Sequence, residues 1–120
     1  MKKLLGILVL GLLWCNVGVA AITADGFLKA MASGNAEVRE LIKNNLIGIN
    51  SGFMYSNVEL KYMKKELIYC QPTLLRLNGD NLIDAVNDSI RHEKDKGNYI
   101  GEVPIGMMLM MHFKRVFPCN

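Results

Sequence analysis

Three cysteines and two histidines are the side chains of this 120-residue chain with the most chemistry to offer. Cys15, Cys70 and Cys119 are candidates for a disulfide, a metal site or a thiol nucleophile; His92 and His112 are candidates for ligation or proton transfer. Their surroundings remove most of these options. His92 stands in the run Arg91-His92-Glu93-Lys94, a solvated helix face, and His112 lies beside the apolar face of a later helix. Two separated histidines and a cysteine pair do not make a zinc site. Neither Cys70 nor Cys119 has a convincing histidine partner. The carboxylates are spread over polar helix faces without pairing, so general acid–base work has no support. There is no glycine-rich phosphate loop and no nucleophile elbow. The expectation is a protein that is not an enzyme and that uses no metal and no cofactor.

The first residues belong to targeting. Met1-Lys2-Lys3 is a short basic start, and Leu4 to Val19 is an apolar run broken by glycines and Asn16. Val19-Ala20-Ala21 supplies the small residues of a cleavage site, so residues 1–21 are expected to be a secretory signal peptide, cut after Ala21 or Ala20. The run is shorter than the ~20 residues of a spanning helix. Trp14 before Cys15 is wrong for a lipobox, which makes Cys15 a passenger. Loss of Lys2 and Lys3 takes the basic count from 14 to 12 against 11 acidic residues. The exported chain is then close to neutral, with no basic patch for nucleic acid and no membrane attachment.

Residues 22–120 are one domain in length, and export leaves two cysteines. An even pair in a small secreted chain argues for one disulfide, Cys70 to Cys119. Cys119 follows Pro118 near the last residue, where a chain end frays unless something ties it down. Free thiols or a thiol nucleophile are the alternatives.

The elements that must carry these residues read as helices. Thr23 caps a short first helix with Phe27, Leu28 and Met31 on its apolar side, stopped at Ser33-Gly34-Asn35. A second helix runs from about Ala36 to Ser56, with Val38, Leu41, Ile42, Asn45, Leu46, Ile49, Gly52 and Phe53 as an inward stripe. Gly48 and Gly52 share a face, which suits either close packing of a neighbouring helix or a cleft for a partner. Residues 57–65 read as a charged loop or extra turn. A third helix runs from about Asn78 to Lys96, capped by Asn78 or Asp80 and buried through Leu82, Ile83, Val86, Ser89 and Ile90; Gly97 ends it. Pro104 opens a last helix with Ile105, Met108, Leu109, His112, Phe113 and Val116 on one side. Met107, Met110 and Met111 widen its apolar surface, for the core or for a dimer interface. The fold expected is all-α: a small single-domain bundle of about four helices, with one disulfide tying the C-terminus to the middle of the chain.

Three pieces of sequence, in order, carry a resemblance. They are Gly48-Ile49-Asn50-Ser51-Gly52, Cys70-Gln71-Pro72 and Phe117-Pro118-Cys119. Residues 22–120 resemble the Rap/Tai-type immunity proteins of Gram-negative bacteria, small periplasmic helical proteins that neutralise peptidoglycan amidase effectors delivered by type VI secretion. Family members often carry two further cysteines, at places filled here by Met31 and Leu46; a hydrophobic contact between those two would replace the missing staple. The resemblance implies a periplasmic protein, a homodimer, whose partner is an amidase effector and whose mechanism is occlusion of the effector's cleft. It brings no motif for the contact residues. Loops are where binding residues concentrate, so the candidates for partner binding are Tyr99, Ile100 and Glu102, then Tyr55, Asn57 and Lys61 after the second helix. Two other functions compete: a small periplasmic chaperone of the acid-stress type, and an envelope protein that uses the scaffold without a toxin partner.

Overall fold

The computed structural model describes residues 21–120. Cys15 and all but the last residue of the expected signal peptide, 1–21, lie outside the described residues. Four helices follow in order: α1 Ala24–Ala32, α2 Ala36–Tyr62, α3 Gly79–Asp95 and α4 Ile105–Val116. Among the described residues the only extended pairing is an isolated antiparallel bridge between Thr23 and Pro104. The all-α bundle read from the sequence is the observed fold.

Three of the four helices start where a polar side chain answers the free amides, and α4 opens behind Pro104 without such a cap. The Thr23 hydroxyl accepts from the Gly26 N–H at 3.1 Å and starts α1. Gly34, at φ +67°, turns the chain back. Asn35 Oδ1 then accepts from Glu37 and Val38 to start α2. Asn78 and Asn81 exchange side-chain and backbone hydrogen bonds in a capping box that opens α3. Gly97, at φ +81°, closes it.

The second helix departs from the sequence reading in two ways. It runs to Tyr62, six residues beyond Ser56, and ends only when Lys64 takes a left-handed φ of 55°. Asn57 and Leu60 continue the inward register of Phe53, so the charges of residues 59–61 decorate an outer face rather than a loop. The buried stripe is also rotated. Ile42, Leu46 and Asn50 are buried, while Leu41, expected inside, is 68% exposed. Gly48 and Gly52 do not receive a neighbouring helix: a Cβ at either would meet nothing within 4 Å.

The third helix lies between α2 and α4 and packs on both; α1 closes the remaining side against α2 and α4. The core joins Phe27, Leu46, Leu82, Val86, Met108 and Phe113, all essentially inaccessible. Met31 is half-buried against this core, which includes Leu46. Glu93, placed by its sequence neighbours on the wet face, is in fact buried; Asn98 donates to its carboxylate at 2.7 Å and Lys96 lies 3.6 Å away. That pairing, the Asn98 bond above all, holds the Glu93 carboxyl below its usual range. The chain start is sewn to the turn before α4: Ala24 N–H donates to Val103 O at 2.8 Å, and Ile105 N–H to Ile22 O at 2.9 Å.

Candidate functional site

The site begins with a hinge-like segment that has no helix of its own. After α2 the chain reverses and runs back along it as Leu67-Ile68-Tyr69-Cys70. Its backbone needs partners, and Asn57 supplies them from within α2. Asn57 Oδ1 accepts from Ile68 N–H at 2.8 Å, and Asn57 Nδ2 donates to Tyr69 O at 3.1 Å. At the next residue, Cys70 N–H donates to Phe117 O at 2.7 Å. The Cys70–Cys119 disulfide then closes a span of 49 residues, with the two Cα atoms 5.0 Å apart. The expected pairing is therefore present. Tyr69 drives its ring into the core beside Phe113, centroids 5.0 Å apart, and the Phe117 ring lies tilted against Phe113 at 5.8 Å.

The returning segment does not lie flat on α2. A cleft of about 360 Å³ remains between them, walled by Met54, Val58, Leu67, Cys70, Pro72 and Leu75, with Lys61 also on its lining. Two polar atoms of its lining residues, Tyr69 Oη and Gln71 Oε1, are buried without a hydrogen-bond partner. Burial pushes the Tyr69 phenol up from its ordinary value. A line of uncovered side chains runs along α2. Leu41, Tyr55 and Tyr62 are 68%, 75% and 86% exposed, at seven-residue spacing with Gly48 between the first two. Met54, Val58 and Met63 flank this line, and Leu74 stands free at the tip of the segment before α3.

The six candidate contact residues divide sharply. Tyr55 and Lys61 are exposed on α2, and Lys61 lines the cleft. Asn57 also lines the cleft, but both ends of its amide are spent on the returning backbone. Tyr99 and Glu102 are exposed at the turn between α3 and α4. Ile100 is 7% exposed and belongs to the core, which leaves it no surface to offer a partner. Its backbone accepts from Val103 N–H, and Gly101 O accepts from Asp25 N–H at 3.0 Å, so this turn is fixed by α1. Sequence reasoning missed the cleft itself and the exposed Tyr62 and Leu74. For Tyr62 alone, the i, i+7 recurrence of Leu41, Gly48, Tyr55 and Tyr62 was the available signal.

One polar cluster lies elsewhere, at the α3–α4 contact. Asp88 accepts from Arg115 and lies 3.0 Å from His112 Nδ1. The Arg115 guanidinium, foremost among its neighbours, holds the Asp88 carboxyl below its usual range. Burial pushes His112 below its ordinary value of 6.5, outweighing the upward pull of Asp88. The disulfide engages both Cys70 and Cys119, so neither is a thiol beside this cluster. No group of three or more metal-ligating side chains occurs among the described residues, and no described helix is long and apolar enough to cross a membrane. No family model, no curated protein and no solved structure matches the chain.

Proposed function

We propose that this chain is a periplasmic immunity protein that binds and occludes a peptidoglycan amidase effector of a type VI secretion system. The observation that carries the reading is the outer face of α2. A helix held from inside by Ile42, Leu46 and Asn50 leaves Leu41, Tyr55, Tyr62, Met54 and Val58 uncovered around two glycines. Large apolar and tyrosine side chains gathered on one face mark a protein-binding surface. Two of the three sequence pieces that resemble Rap/Tai-type proteins also meet in space, through the Cys70–Cys119 bond. A rigid, crosslinked scaffold suits an occluding inhibitor, because little order must be imposed on binding.

The test is inhibition of amidase hydrolysis of peptidoglycan by the oxidised protein, with the complex sized by light scattering. A one-to-one stoichiometry of inhibitor to effector chains with complete loss of hydrolysis is the expected result. Tyr55→Ala paired with Tyr62→Ala weakens inhibition by at least about tenfold, as loss of aromatic anchors does. Retained inhibition in that double variant moves the contact to the Tyr99–Glu102 turn. Absence of any inhibited amidase, with general protection of unfolded proteins at acid pH, favours the chaperone instead, which would use the same exposed side chains.

A further inference from the structure

We propose that the cleft between α2 and the returning 67–75 segment is a binding site for one aromatic ring system, of about indole size, that carries a single N–H or O–H donor. Three features of the cleft converge on that chemistry, and none depends on the amidase reading. The first is size and lining. About 360 Å³, walled by Met54, Val58, Leu67, Pro72 and Leu75, falls at the small end of ligand pockets, which are mostly apolar with a few placed polar groups.

The second feature is an unpartnered polar atom of the lining, Gln71 Oε1. Gln71 is held in one orientation because its Nε2 donates to Leu75 O at 2.8 Å. That leaves Oε1 buried as an acceptor without a donor. Buried polar groups are normally paired, so an occupant that brings one donor completes the site. A plain acyl chain brings none. Asn57, the other amide of the lining, has no capacity to spare, since both its ends are engaged.

The third feature is the choice of ring over chain. Met54 offers a thioether and Lys61 an ammonium group on the same lining. Sulfur and cations both favour aromatic faces and edges over aliphatic ones. Lys61 also disfavours a cationic occupant. Indole and phenol satisfy every term, either as free small molecules or as tryptophan and tyrosine side chains on a polypeptide.

The experiment is an amide-resolved NMR titration of the oxidised protein with indole, N-methylindole and N-acetyl-tryptophan amide. Saturable shifts confined to the cleft residues, with indole bound about tenfold tighter than N-methylindole, are expected from one hydrogen bond into a buried acceptor. Gln71→Met removes the acceptor and should bring the two indoles within about twofold of each other. Val58→Trp, at a position 53% exposed, fills the cleft from its rim without disturbing the core and should abolish the shifts. Equal affinity for indole and N-methylindole overturns the proposal, and so do shifts scattered outside the cleft or binding that survives Val58→Trp. Binding of the tryptophan amide as tight as that of indole assigns the ring to a polypeptide partner. Binding of indole alone assigns it to a free small molecule. Both outcomes stand whether or not an amidase is inhibited.

Discussion

Asn57 and Tyr55 are two residues apart on α2 and do opposite work. The Asn57 amide serves a backbone donor and a backbone acceptor of the returning segment, Ile68 N–H and Tyr69 O. Asn57→Ala leaves both without their partner, at about 1–3 kcal/mol for each such group that is buried. Urea unfolding should therefore show a loss of about 2 kcal/mol or more, whereas Tyr55→Ala, on an exposed position, should stay within about 0.5 kcal/mol. His112 gives a second residue-scale prediction. Its folded pKa lies below the ordinary 6.5, so the unfolded chain takes up the proton more readily. The stability it contributes is complete above pH 6.5 and is lost as pH falls through the folded value. Asp88, held below 3.8 by Arg115, adds a second loss at still lower pH, as its carboxylate protonates. Stability measured from about pH 7 down to about pH 5 should decline, and His112→Gln should flatten that decline. An unchanged slope in the variant would remove His112 as its source.

Element-scale behaviour centres on α2. Gly48 and Gly52 sit in its interior, where each costs about 1 kcal/mol relative to alanine. Nothing in the folded chain approaches either one. Gly48→Ala and Gly52→Ala should each raise the unfolding free energy of the protein by about that amount, read as a higher Tm. If the face receives the backbone of a second copy or of an effector, the same changes should weaken that association, which sedimentation would show. Much of the helical plan was legible in the sequence. Thr23, Asn35, Asn78 and Gly97 mark ends because their types have few other uses at those places, and the apolar stripes of α3 and α4 repeat at helical spacing. The last two turns of α2 were hidden because Glu59, Lys61 and their neighbours disguise a half-buried stripe of Asn57 and Leu60 as a polar loop. Asn50 and Glu93 were hidden for a related reason: a polar side chain reads as surface until its surroundings are known. The cleft had no signature at all, since it lies between residues of two segments that only the returning chain brings together.

At the scale of the whole molecule, two closures hold the bundle. One joins its start to the turn before α4, through Ala24–Val103 and Ile105–Ile22 hydrogen bonds. The other is the Cys70–Cys119 bond, whose span of 49 residues is worth about 4 kcal/mol on the chain-entropy account. Cys119→Ser should lower the unfolding free energy by roughly that figure, because only Cys70–Phe117 hydrogen bonding and the Phe113–Phe117 contact would hold the final residues. An unfolding free energy within about 1 kcal/mol of the oxidised protein would mean that side-chain packing alone fixes them. Cys70 is also part of the cleft wall. The crosslink thus does more than stabilise: it ties one edge of the cleft to the electron balance of the surroundings. Where the bond is reduced, Cys119 is released from Cys70 and this edge of the cleft loses its covalent tie to the C-terminus. The outline of the cleft is thereby written in redox conditions as well as in sequence.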